Sequence, residues 1–330
     1  MNEYSALVAT AATIGPEESL ASLVWDEGGN PQEFLQFNSA LLISARRMLS
    51  RDCRIPIRFE TDFLPESLEE LGRLRSLARA LTIQLRHTHA VGDWAEAVSV
   101  GLDILRLANI SRGGLIAHLL VGVVFESMAL KGLSAMRRRL SPALCETTIS
   151  LLKQLEDERE PYDAVDRRDR KWEEAVGLKE PPIDIEADIK ALERSESSEQ
   201  GDSDMQRAMV EFIEHLAALP DSDRRDMNSA LDRRNLAMLR LLRTDLSLRH
   251  WHAFKGECPS ELTCADLIDP TSGVDPFTSK AFVYRRDTPH LFTLYSPGPT
   301  RIDNGGVFGP WLSVWSGQAD LCLDISDYEE

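Results

Sequence analysis

The sequence predicts a mainly α protein that ends in a small α+β module. Three observations predict it. Leucine-rich apolar residues recur at spacings of three and four through residues 65–107 and again through 221–253. Residues 177–204 lose their large apolar side chains and turn acidic, and beyond Gly256 prolines and glycines separate short aromatic and β-branched runs. The expected organisation is an N-terminal antiparallel helical-hairpin domain (1–175), an acidic flexible linker (176–204), and long helices followed by an α+β module (205–330), a long helix carrying a short antiparallel β-hairpin or sheet.

Hydrophobic residues make up 43% of the 330, enough to supply a real core. Lys plus Arg number 37 against 54 Asp plus Glu, a net charge of -17 that repels phosphate backbones, so no nucleic-acid partner is expected. Arginine is dense in 40–90 and 224–249, whereas 180–204 and 318–330 are acidic, a pattern of solvated faces and tails. The most apolar stretch, Gly114 to Leu130, contains His118 and Glu126 and reads as a core helix, so no direct membrane insertion by this chain is expected. The N-terminus lacks the basic start, apolar region and small-residue cleavage site of an export signal. Of the cysteines Cys53, Cys145, Cys258, Cys264 and Cys322, only Cys258 and Cys264 lie close in sequence; a disulfide between them and a pair of free thiols are the alternatives.

Each element has its own signal. Pro16-Glu17-Glu18 starts a helix and Gly28-Gly29-Asn30-Pro31 breaks one. From Pro65 to Ala90, Leu68, Leu71, Leu74, Leu77, Ala78, Leu81 and Leu85 mark one buried helical face. Val91-Gly92-Asp93 turns the chain, and Trp94, Ala97, Val98, Leu102, Leu105 and Leu107 open a second amphipathic helix, the antiparallel partner of the first. This hairpin resembles a tetratricopeptide-type unit. Helices follow at about 112–138 and 142–160, the latter with Ser141 as N-cap and Pro142 in its first turn, then at about 204–218 and 221–253. Ala281–Tyr284 and Leu291–Tyr295 form a β-hairpin laid against the preceding helix, and Trp311-Leu312-Ser313-Val314-Trp315 is expected to add a strand.

The C-terminal hundred residues carry a more specific order. A long helix ends in His252-Ala253-Phe254-Lys255-Gly256, then come Pro259-Ser260-Glu261-Leu262, Asp275-Pro276-Phe277, the hairpin, Ser296-Pro297-Gly298-Pro299 and Asp303-Asn304-Gly305-Gly306. This order resembles the ectodomain of type II secretion major pseudopilins and type IV pilin-like proteins, with Cys258 at a usual tyrosine, Phe277 at a usual tryptophan and Thr300 at a usual aspartate. Over nearly the whole chain, Cys53-Arg54-Ile55-Pro56, the Gly-Asp turn and Arg168-Asp169-Arg170-Lys171-Trp172-Glu173 resemble uncharacterised helical proteins of planctomycete bacteria. The resemblance implies the extracytoplasmic portion of a membrane-anchored protein; without it the sequence reads as cytoplasmic.

In pseudopilins the loop after the hairpin can hold Ca²⁺, which takes several oxygen ligands. Ser296, Asp303 and Asn304, with backbone oxygens near Gly298 and Gly305 and with Asp320 or Asp324 folding back, are the candidate ligands here; no other cofactor is expected. A capped turn, with Asp and Asn accepting from backbone groups, is the alternative. The pairs His87/His89 and His250/His252 sit two residues apart on helices, so neither converges on one ion. Glu156, Asp157, Glu158, Glu160, Asp163, Asp166 and Asp169 near Trp172 could serve glycoside-type hydrolysis, though mixed charge on a helix is more often an ion-paired face. No G-x-S-x-G, Walker, G-x-G-x-x-G or H-E-x-x-H motif occurs. The leading expectation is a non-enzymatic protein-interaction or structural module with an unidentified protein partner; a Ca²⁺-stabilised extracytoplasmic module and a hydrolase are the alternatives.

Overall fold

The computed structural model describes residues 2–15, 31–51, 53–177, 221–263, 267–309 and 311–323. The chain is mainly helical, with one small antiparallel two-stranded sheet near the C-terminus. In order it forms α1 (Glu3–Ala11), α2 (Pro31–Leu49), α3 (Phe63–Ala90), α4 (Trp94–Arg112), α5 (Ile116–Met136), α6 (Pro142–Asp157), α7 (Tyr162–Val176), α8 (Asp221–Lys255), β1 (Val283–Thr288), β2 (Leu291–Tyr295) and α9 (Trp311–Trp315). At the end of α7, Gly177 closes the helix with a left-handed φ of 73°. The helix start at Pro16, most of the 176–204 linker and the helix at 204–218 lie outside the described residues.

The chain divides into two compact units, each assembled from three segments. The first comprises Met1–His87, Ile110–Gly122 and Glu160–Ser229. Asn2 caps α1 by accepting from the Ser5 N–H at 2.7 Å, and α1 packs on α2. Phe34, Asn38, Leu42, Ala45 and Leu49 form the buried stripe of α2. Asn38 is fully buried but satisfied, its amide donating to the Phe34 and Gly15 carbonyls at 3.0 and 3.1 Å. The leucine stripe of α3 is buried as its spacing predicts, with Leu71, Leu74, Leu77, Ala78, Leu81 and Leu85 in the core.

The Arg-Asp-Arg-Lys-Trp-Glu segment has a structural task in this unit. Arg168 donates to the carbonyls of Arg112 and Gly114, both at 2.8 Å, at the end of α4, and forms an ion pair with Glu160 at 2.8 Å. Its neighbour Asp169 accepts the Ile116 N–H at 3.0 Å at the start of α5. Positive charge at a helix C-terminus and negative charge at an N-terminus both complement the peptide dipoles. Fully buried Arg112 donates to the Glu160 carbonyl at 2.7 and 3.0 Å, and Trp172 is buried on the same helix as Arg168.

The second unit comprises Thr88–Asn109, Val123–Arg159 and Ala230–Glu330. At the end of α3 the Gly92 N–H bonds to the His89 carbonyl at 3.1 Å and the Asp93 N–H to the Thr88 carbonyl at 2.9 Å, with Gly92 at φ 79°. That pair of bonds is a Schellman ending, and it requires the left-handed residue that glycine supplies without penalty. Asp93 then caps α4, its carboxylate accepting from the Glu96 N–H at 3.2 Å. In α4, Gly101 lets Leu133 of α5 approach so closely that an added Cβ would lie 2.7 Å from its side chain.

Charged residues bind the helices of this unit from inside. Arg159 pairs with Glu126 of α5 at 2.9 Å and Asp232 of α8 at 2.7 Å, all three side chains at most 8% exposed. The arginines of α8 were expected on a solvated face, yet Arg243 has no exposed surface; it pairs with Glu156 of α6 and with Asp269. Burial pulls its guanidinium below the usual value, against the pull of Glu156. The physical reason is that α8 is enclosed on every side from Leu241 to Leu248, so its arginines must find carboxylates inside.

One expectation is overturned: Trp311–Trp315 is a short helix, not a strand. Its ending repeats the glycine device, with Gly317 at φ 76°, Gly317 N–H to Val314 carbonyl at 3.2 Å and Gln318 N–H to Ser313 carbonyl at 2.8 Å. The apolar run is too short for periodicity to separate helix from strand, and the glycine two residues beyond it decides. The first strand also starts later than expected, at Val283, and continues through Arg285, Arg286 and Asp287. A register irregularity between Arg286 and Thr288 accommodates Asp287. The α5 helix with its following turn, Ile116–Arg139, is long and apolar enough to cross a membrane by length and composition. More than half of that window is buried inside the protein, and Glu126 within it is ion-paired, both features of a core helix.

Candidate functional site

The C-terminal module is built outward from α8. Thr244 donates to the Ser272 carbonyl at 2.9 Å, fixing the turn Pro270–Gly273, and Asp269 caps that turn at the Thr271 N–H at 3.1 Å. Asp275 then organises the next turn, accepting from the Phe277 N–H at 2.9 Å and the Thr278 hydroxyl at 3.0 Å. Burial pushes the Asp275 carboxyl up, while these donors and the Ser296 hydroxyl pull it down. The hairpin is pinned to the chain after α8 by the Tyr284 hydroxyl on the Pro259 carbonyl at 2.7 Å and the Cys258 N–H on the Pro289 carbonyl at 2.6 Å. The Arg249 guanidinium lies over the Phe292 ring at 5.8 Å. Buried Cys258 has its thiol pushed up by loss of water; Cys264 lies outside the described residues.

The loop after β2 was expected to offer Ca²⁺ ligands at Ser296, Asp303 and Asn304. Ser296 is fully buried and faces Asp275, while its oxygen accepts the Gly298 N–H at 3.0 Å. Asp303 accepts the Tyr295 hydroxyl at 2.9 Å and the Gly305 N–H at 2.8 Å. Asp320 does fold back: fully buried, it accepts the N–H groups of Asn304 at 3.1 Å and Gly306 at 2.9 Å. The Asn304 side-chain amide reaches the same carboxylate at 3.3 Å. These oxygens thus face protein donors, the geometry of a loop held by its acids. Asp324 lies outside the described residues. Isolated bridges, Ser296 to Leu321 and Phe308 to Asp320, extend the hairpin's pairing into this loop.

The acidic residues near Trp172 meet partners of their own within each unit. Glu156 serves Arg240 at 2.8 Å and Arg243 in the second unit, Asp157 pairs with Lys153 at 2.7 Å, and Glu158 accepts from Gln154 at 2.8 Å. In the first unit Glu160 serves Arg168, and Asp166 pairs with Arg170 at 2.8 Å and Arg225 at 3.4 Å. Burial pushes the Asp169 carboxyl up to about 6, partly offset by the Ile116 N–H.

Sequence spacing paired His250 with His252; the fold pairs His252 with His290 instead. Their Nε2 and Nδ1 atoms are 3.0 Å apart at the surface, whereas His250 lies against the Phe254 ring. His290 carried no sequence signal, because the turn that presents it is far from α8 along the chain. His89 packs edge-on against Trp94 beside the Gly92 turn. The buried His118 accepts the Leu115 N–H at Nδ1 at 3.2 Å, and burial, then Arg168, lowers it to about 4.

In the second unit a void of about 10 Å³ is lined by Leu105, Asn109, Glu126, Arg159 and Asn235, among others. That is room for about one water molecule beside the Arg159 ion pairs. Among the described residues no group of three or more His, Cys, Asp or Glu side chains is placed to hold a metal ion. Comparison of the chain with protein-family models, with characterised proteins and with solved structures finds no match.

Proposed function

We propose that the protein is a non-enzymatic interaction and structural module whose pseudopilin-like C-terminal part docks a protein partner. The supporting observation is the loop from Ile302 to Phe308. Ile302, Val307 and Phe308 keep 58%, 56% and 36% of their surface in water, while the loop backbone is held from beneath by Asp303 and the buried Asp320. Apolar side chains displayed on a fixed backbone lose little conformational freedom on binding, which favours association. With a net charge of -17, the fitting partner carries basic groups around an apolar patch. The tetratricopeptide-like hairpin would serve as a second docking surface.

The test compares cross-linked partners of the full chain with those of an Ile302→Ser/Val307→Ser variant and of Phe37→Ser, an exposed apolar residue in the other unit. The proposal predicts one partner lost with the loop variant and kept with Phe37→Ser, at unchanged thermal midpoint. Identical partner profiles for all three proteins overturn it.

A further inference from the structure

The contact between His252 and His290 joins the last turn of α8 to the β1–β2 turn. Both imidazoles sit on anchored backbone. The Gly256 N–H closes α8 on the His252 carbonyl at 2.8 Å, the Thr288 hydroxyl accepts the His290 N–H at 3.2 Å, and the Cys258 N–H holds Pro289 at 2.6 Å. The rings stand nearly perpendicular, at 81°, with centroids 5.3 Å apart.

We infer that His252 Nε2 and His290 Nδ1 form a two-nitrogen surface site for a divalent transition-metal ion, with Cu²⁺ the best fit. Nitrogens each about 2.0 Å from one ion lie about 2.8 Å apart at a right angle and about 3.3 Å apart at a tetrahedral angle. The observed 3.0 Å falls between the two and nearer the right-angle, tetragonal arrangement that Cu²⁺ and Ni²⁺ adopt with imidazole ligands. Cu²⁺ also binds nitrogen sites more tightly than its first-row neighbours. Solvent fills the remaining positions. In the free protein one hydrogen lies between the two nitrogens; on metal binding it transfers through water to the other nitrogen of its own ring, and the rings turn so that both stay neutral and both lone pairs face the ion. The bound ion ties the hairpin tip to the end of α8, a link also made through Cys258, Pro259, Arg249 and the Arg286–Glu257 ion pair.

The experiment uses the full chain without a histidine tag, stripped with chelator and titrated with Cu²⁺ alone. Calorimetry and electron paramagnetic resonance report stoichiometry and the number of coordinated nitrogens. The expected result is one ion per chain with coupling to two imidazole nitrogens, a raised thermal midpoint, and loss of both in His252→Ala and in His290→Ala, while His250→Ala keeps them. The two variants alter a half-buried and an exposed side chain, and circular dichroism verifies their fold. Absence of binding to the parent chain, binding that survives His252→Ala or His290→Ala, or binding abolished by His250→Ala overturns the inference.

Discussion

Arg159 donates to both carboxylate oxygens of Glu126, Nε to Oε1 at 2.9 Å and Nη2 to Oε2 at 3.2 Å, while the same Nη2 reaches Asp232 at 2.7 Å. Burial works against the charge on Arg159, but its two carboxylates outweigh that cost and hold the guanidinium above its usual value.

Removing the arginine leaves two buried carboxylates facing each other. Arg159→Met is therefore expected to destabilise the second unit by about 3–5 kcal/mol. Replacing all three partners with apolar residues of similar size is expected to recover much of that loss. Urea unfolding monitored by tryptophan fluorescence measures both.

Opposite pH responses are expected from a buried and a half-buried group in the first unit. His118 sits at about 4 in the folded chain against 6.5 when unfolded, so the unfolded state binds its proton first and stability falls as pH drops from about 6.5 towards 4. Asp169, at about 6 folded against 3.8 unfolded, gains its proton first in the folded state, so stability rises as pH drops from about 6 towards 3.8. Each contribution is about 3 kcal/mol, and in the parent chain they largely offset one another. His118→Phe is expected to become more stable on mild acidification and Asp169→Asn less stable. Denaturant midpoints measured at pH 7 and pH 4.5 check the two signs.

Much of the fold was legible in the sequence. Leucine spacing marked the buried face of α3, Gly92-Asp93 marked the turn, and Ser141-Pro142 marked the start of α6, where Ser141 accepts the Leu144 N–H at 3.3 Å. These are local signals, each completed within a turn or two of chain. What escaped was long-range. Arg243 looks like any helical arginine until Glu156 and Asp269 arrive from distant segments, and His290 acquires meaning only beside His252. The loop acids were legible as residues but not as partners, because Asp320 meets Gly306 only after the chain doubles back.

Asp320→Ala removes the acceptor for the N–H groups of Asn304 and Gly306. Leaving such donors unsatisfied costs about 1–3 kcal/mol. The variant is expected to be cut by trypsin after Arg301 faster than the parent, while the helical content holds. Limited proteolysis with mass identification of the fragments tests this.

Gly101→Ala puts a methyl group against Leu133, which is only 2% exposed and has little room to retreat. A loss of about 1–3 kcal/mol is expected from overpacking. A Leu133→Ala second change is expected to relieve the clash, giving a non-additive double-mutant cycle.

Arg168 and Asp169 are sequence neighbours, yet one addresses the carbonyl pole of α4 and the other the amide pole of α5. Exchanging them, Arg168→Asp with Asp169→Arg, keeps composition, net charge and local hydrophobicity identical while presenting each pole with its own sign. A scrambled dipeptide of this kind would look silent to any compositional measure and would still unseat the corner between the two helices, so the order of the two letters carries information that neither letter holds alone.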